Sequence, residues 1–226
     1  MAAILCYVSD RKALASPDAA FLMSVVRRAI AAGVDWIQFR EKDLPGRALA
    51  ALAREAVAAA SGSATRILIN GRLDVAVAAR AGGVHLGGDA LPLADVAAWC
   101  AQNVSGYVPP TPELALLSST FLVGASCHSL DEAQATERDG AHYIIFGPVY
   151  STPSKMQFGA PQGLVRLEEV CRAVRIPVLA IGGVTLDKAH ECLCAGAAGI
   201  AAIRLFQESA DFEKVVTGLR QALSSQ

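Results

Sequence analysis

Short apolar runs rich in β-branched residues alternate along the chain with longer stretches whose apolar positions recur about every three to four residues, the spacing of one helix face. The short runs are Ile4–Val8, Trp36–Phe39, Arg66–Ile69, Gly83–Leu86, Phe121–Ala125, Tyr143–Phe146, Val178–Ile181 and Gly199–Ile203. They are nearly continuous in hydrophobicity, as strands buried on both faces must be, so the pattern predicts parallel strands. Eight such strands with helices between them, and a last helix near Asp211–Leu223, predict an α/β fold: a closed (β/α)8 TIM barrel. An open doubly wound sheet is the alternative that periodicity leaves standing.

An internal echo accompanies this alternation. The approaches to the second, fourth, sixth and eighth strands read Ala32-Gly33-Val34, Ala81-Gly82-Gly83, Asp139-Gly140-Ala141 and Ala195-Gly196-Ala197, each with Gly where a helix stops in a left-handed turn. One connection breaks the rhythm. After a helix around Leu93–Gln102, a Pro-rich insertion at about 103–120 carries Pro109, Pro110 and Pro112, and reads as a lid or a surface excursion. The whole chain, 1–226, reads as a single domain around one core.

Composition narrows the partners. Charged residues are 18% of the 226, with a net charge of -1, which gives no basic field for nucleic acid. Aromatics are only 6%, too few for a base-stacking surface. The first residues form a short apolar run, well below the roughly 20 residues of a membrane span, so no membrane partner and a cytoplasmic location are expected. Of six cysteines only Cys192 and Cys194 are close, without the second pair a zinc site needs, so they read as reduced core thiols. A small-molecule ligand is the expectation, and a homo-oligomer is allowed.

In such a barrel chemistry gathers at the carboxyl ends of the strands. The second strand runs into Gln38-Phe39-Arg40-Glu41-Lys42, where alternation aims Gln38, Arg40 and Lys42 one way. After the sixth come Ser151, Thr152, Ser154 and Lys155, hydroxyls and a cation suited to a phosphate, and after the seventh the pair Gly182-Gly183, which lets backbone amides approach an anion. Asn70 follows the third strand, Gly87-Gly88-Asp89 the fourth, and Ser126-Cys127-His128 the fifth. His128 reads either as an acid/base or as a cap for the next helix. His85 and His142 read as packing residues, and Cys127 has no base beside it to make it a nucleophile.

At these residues the chain resembles thiamin phosphate synthase and its relative thiazole tautomerase. The motifs are Gln38-Phe-Arg40-Glu-Lys42, the stretch from Asn70 to His85-Leu-Gly87, Gly147-Pro-Val-Tyr-Ser-Thr152-Pro-Ser154-Lys155, and Ala180-Ile-Gly-Gly183. The resemblance implies condensation of hydroxymethylpyrimidine diphosphate with thiazole phosphate, giving thiamin phosphate and pyrophosphate. It implies that Gln38, Arg40, Lys42 and Asn70 hold the pyrimidine diphosphate, and that Ser126 and Lys155 sit near the departing pyrophosphate. Thr152, Ser154, Gly183 and the backbone near Ile203 would serve the thiazole phosphate.

The chain also departs from the synthase pattern. Two Asp that bind magnesium there fall at Gly71 and Ala90 here, leaving Asp74 and Asp89 as the nearby carboxylates that would recruit Mg through water. Arg204 stands where the synthase commonly has Ser. The tautomerase, which isomerises a thiazole carboxylate phosphate, needs no metal and would use His128 as its proton carrier; an inactive phosphate-binding regulatory relative is the third reading.

Overall fold

The computed structural model describes residues 3–110, 120–152, 160–209 and 211–224. Eight parallel strands pair in chain order: β1 (Ile4–Val8), β2 (Trp36–Phe39), β3 (Arg66–Asn70), β4 (Gly83–Leu86), β5 (Leu122–Cys127), β6 (Tyr143–Phe146), β7 (Val178–Ile181) and β8 (Gly199–Ala202). β8 pairs back onto β1, with Ile4 opposite Gly199 and Tyr7 opposite Ala202, so the sheet closes and the open doubly wound alternative falls. The helices are α1 (Ala19–Ala31), α2 (Gly46–Ala59), α3 (Leu73–Ala78), α4 (Leu93–Asn103), α5 (Leu130–Arg138), α6 (Gly163–Ala173), α7 (Leu186–Cys194), α8 (Arg204–Gln207) and α9 (Phe212–Ser224). None is long and apolar enough to cross a membrane.

Alternation along each strand splits the apolar residues into two cores. Cys6, Val8, Trp36, Leu68, Tyr143, Ile145 and Leu179 belong to one cluster, which fills the barrel. Their neighbours Leu5, Tyr7, Ile37, Phe39 and Phe146 belong to the other, packed against the helices. α1 shows how a helix meets that surface: Leu22, Val25, Val26 and Ala29 share one buried face, and the Asp18 carboxylate accepts from the Phe21 N–H at 2.6 Å to cap its start. α9 is tied down by Arg220, which pairs with Asp35 at 2.7 Å; the same carboxylate accepts from the Leu5 N–H in β1.

One sequence expectation changes, and one that the sequence left open is narrowed. Gly33, Gly140 and Gly196 do stop their helices with φ of 79°, 94° and 93°, but before β4 the left-handed residue is Arg80 at φ 53°. Glycine near that point answers a different need: a Cβ on Gly83 would lie 2.3 Å from the Leu122 carbonyl oxygen on the neighbouring strand. The Pro-rich insertion, over its described part, is no lid on the mouth. Residues 104–110 fold under the amino end of the barrel, where the Phe121 N–H donates to Gly106 O at 3.2 Å and His142 Nε2 donates to Val108 O at 2.8 Å. Residues 111–119 lie outside the described residues.

Candidate active site

A cavity of about 800 Å³ opens at the carboxyl ends of the strands. Its wall has two halves, and strand parity makes both. On β2 to β5 the last inward positions are Gln38, Asn70, His85 and Ser126, with His128 just beyond; on β6, β7, β8 and β1 they are Ile145, Ile181, Ala201 and Val8. A polar arc therefore faces an apolar one, an arrangement that lets a flat heteroaromatic ring bury its face while its edge forms hydrogen bonds.

The polar arc is braced from within the barrel. Gln38 is 2% exposed and donates from Nε2 to Asn70 Oδ1 at 2.9 Å, while its own Oε1 has no protein partner among the described residues. An unpaired buried acceptor is costly unless a ligand donor meets it. His85 lies between Tyr143 Oη at 3.1 Å and Ser126 Oγ at 2.9 Å. Gly124, in register with both His85 and Tyr143, makes this approach feasible, since a Cβ there would sit 2.2 Å from the Tyr143 ring. Burial holds the His85 imidazole at about 3 and pushes the Tyr143 phenol well above its ordinary value, so both are neutral. One tautomer satisfies every donor: Tyr143 O–H donates to Nδ1, and Nε2–H donates to Ser126 Oγ, which leaves the Ser126 proton for a ligand oxygen.

Arg40 enters just past β2. Its backbone N–H donates to Ser9 Oγ at 3.1 Å, and Ser9 donates in turn to the buried Glu41 carboxylate at 2.5 Å. Burial raises the Glu41 pKa, against the lowering by Ser9 and Arg11. The Arg40 guanidinium lines the cavity with Asp10, 3.8 Å away. On the far side, Ser151, Thr152, Gly182, Gly183 and Lys188 form a corner between β6 and β7. Gly183 sits at φ 65° with Ser151 O only 2.6 Å from where a Cβ would be, so the corner closes only around glycine. Lys188 rests over the Tyr150 ring, 4.5 Å from its centroid. Ile203 and Arg204 complete the rim, with Glu208 3.6 Å from Arg204.

The structure thus brings together Gln38, Arg40, Asn70, Ser126, His128, Thr152, Gly183, Ile203 and Arg204. Lys42 is not among them: the β2 ladder ends at Phe39, Glu41 turns inward to Ser9, and Lys42 is exposed outside the cavity lining. Ser154 and Lys155 lie outside the described residues. Asp74 is also away from the cavity lining, gripped by Arg72 at 2.8 and 2.6 Å, a bond that lowers its pKa; Asp89 is exposed and likewise does not line the cavity. Among the described residues no cluster of three or more His, Cys, Asp or Glu is placed to hold a metal ion. His128 is not the helix cap, which is Ser129; its ring bonds to the Gly147 carbonyl. Cys127 faces the helices, 3.2 Å from Thr136 Oγ1, and burial pushes its thiol up to about 11.

His85 and Lys188 were not expected in the site. His85 shares the inward parity of Gly83 and Gly87, a signal that position alone does not distinguish from packing. Lys188 sits in the first turn of α7, where a cation opposes the helix dipole, and that misfit is the sequence-level clue to an anion nearby.

Comparison with known proteins meets this geometry. The thiamine monophosphate synthase family profile matches residues 5–105 and 109–206. The thiamine-phosphate synthase of Roseiflexus castenholzii is 36% identical over 88% of this chain and 79% of its own. That of Moorella thermoacetica is 35% identical over 89% and 88%. Among solved structures, thiamine phosphate pyrophosphorylase from Pyrococcus furiosus superposes with a TM-score of 0.80 at 29% identity, covering 97% of this chain and 95% of that one. The chain belongs to the thiamine monophosphate synthase family.

Proposed function

We propose that the protein joins an aminopyrimidine diphosphate to a thiazole phosphate, forming thiamin phosphate and releasing pyrophosphate, as a cytoplasmic enzyme with all six of its cysteines free. The observation that carries this reading is the unpaired Gln38 Oε1, buried at the polar arc and opposite an apolar wall, which fits the exocyclic amine of a pyrimidine seated between them. In the reaction the C–O bond of the pyrimidine methylene breaks with its electron pair going to pyrophosphate, and the thiazole nitrogen then forms the new C–N bond. No proton need be gained or lost. Arg40 and the Ser126 O–H stabilise charge growing on the departing oxygen, and Gln38 Oε1 stabilises the electron-poor ring by accepting from its amine. Thr152, Gly183 and Lys188 seat the thiazole phosphate, so that both partners are held in one cavity. The resemblance also implies magnesium, but the carboxylates here do not fit it: Asp74 is held by Arg72, and neither Asp74 nor Asp89 lines the cavity.

The test supplies purified protein with both substrates and follows thiamin phosphate and pyrophosphate together. Equimolar appearance of the two is expected. Absence of both, with proton exchange on a thiazole carboxylate phosphate, would overturn this reading in favour of the tautomerase, for which His128 at the cavity wall is the available acid/base.

A further inference from the structure

The acidic side chains around the cavity are already committed. Only two described carboxylates line it, Asp10 and Glu208, and each has an arginine within 4 Å: Arg40 at 3.8 Å and Arg204 at 3.6 Å. Asp74 is closed by the two-pronged bond from Arg72, and Glu41 is turned inward to Ser9 and the Arg11 N–H. Magnesium is usually held by one or two carboxylates together with substrate phosphates and keeps several waters. Here the two lining carboxylates leave the neighbouring ends of β1 and β8, where Gln207 Nε2 donates to Asp10 O at 3.0 Å, and each already faces an arginine, whereas three cations line the cavity: Arg40, Arg204 and Lys188. Lys188 forms no ion pair with a carboxylate among the described residues; its ammonium rests on the Tyr150 ring at the cavity wall.

We infer that this cavity binds the diphosphate end of its substrate without a divalent cation, the anionic charge being met by Arg40 and its neighbouring cations. Asp10 then serves to orient the Arg40 guanidinium in the empty cavity and releases it to the ligand, as a carboxylate about 4 Å away is readily exchanged for a diphosphate oxygen at hydrogen-bond distance. The inference rests on the proposed condensation but is tested apart from it.

Inorganic pyrophosphate is titrated into the full-length protein by calorimetry in EDTA, and the condensation is run in parallel with EDTA or with magnesium. Expected are binding in EDTA, a loss of tenfold or more in Arg40→Met, and thiamin phosphate formation in EDTA at a rate within about threefold of that with magnesium. Manganese added to protein and pyrophosphate should give no paramagnetic signal beyond that of manganese pyrophosphate. Gly71→Asp combined with Ala90→Asp is the positive control: a Cβ at Gly71 meets nothing within 4 Å, its left-handed φ of 69° is one that Asp adopts more readily than most side chains, and once circular dichroism shows the double variant folded, its doubled carboxylates should create manganese binding absent from the wild type. Pyrophosphate binding only when magnesium is present, or loss of a manganese signal in Asp10→Asn, would overturn the inference while leaving the condensation intact. Binding in EDTA without condensation under any condition would uphold it and defeat the proposed reaction instead.

Discussion

The neutral His85 makes the barrel's stability depend on pH in a way that can be worked out. The imidazole is buried between Tyr143 and Ser126, with its pKa lowered by burial from 6.5 to about 3. In the unfolded chain it titrates at its ordinary value, so between the two values the unfolded state binds a proton that the folded state refuses. The stabilisation is complete above pH 6.5 and is lost as pH falls, at about 1.4 kcal/mol per unit. At about pH 5 the loss is roughly 2 kcal/mol, a large share of a stability of 5–15 kcal/mol. Because the ring is fully buried, solvent screening takes little from this figure.

The perturbation that isolates it is His85→Gln, which retains an acceptor and donors for Tyr143 and Ser126 but cannot titrate. Urea denaturation of both proteins at pH 7.5 and 5.0 is the assay. The wild type should lose about 2 kcal/mol more than the variant across that interval. His142, whose pKa is also lowered by burial, contributes the same sign to both proteins and cancels in the difference, as do the carboxylates. Parallel losses in the two proteins would refute the reasoning, because they would mean that His85 takes up its proton in the folded barrel without penalty.

Two further outcomes test the site. Gly183→Ala places a Cβ 2.6 Å from Ser151 O at a φ of 65°, so it should cost about 1–3 kcal/mol in denaturant unfolding and raise the KM for thiazole phosphate more than that for the pyrimidine. Native-state thiol labelling read by mass spectrometry should modify the exposed Cys194 first and leave the buried Cys6 and Cys127 untouched; rapid labelling of Cys127 would contradict its placement behind the strand.

The fold was legible because burial on both faces leaves a run of apolar residues no other simple explanation, and eight such runs in one small chain have few ways to hide their edges. The boundaries were less so. β5 begins at Leu122 and ends at Cys127, two residues beyond the apolar run, because polar Ser126 is tolerated inside the mouth where His85 receives it. Hydrophobicity marks where a strand is dry, and the ladder continues for as long as backbone pairing does.

The same distinction governs the site. Alternation correctly sent Gln38 and Arg40 to the cavity, since Gln38 is still paired with Leu68 across the ladder and Arg40 is fastened by Ser9. Extending the rule two residues further to Lys42 failed because the period-2 geometry belongs to a paired strand, and past Phe39 the chain follows the demand of the buried Glu41 for Ser9 and Arg11 instead. His85 escaped for the opposite reason: its parity was readable, but its role depends on Tyr143 and Ser126, 58 and 41 residues away, which only the register across β4, β5 and β6 brings to it. A lone polar residue inside a barrel is read as packing or as function according to whether partners await it, and that information lies between strands. The carboxylates obey the same logic. Asp74 and Asp89 were near enough in sequence to Gly71 and Ala90 to suggest a metal, but one is held by Arg72 and the other lies outside the cavity, so proximity along the chain conferred no shared direction in space.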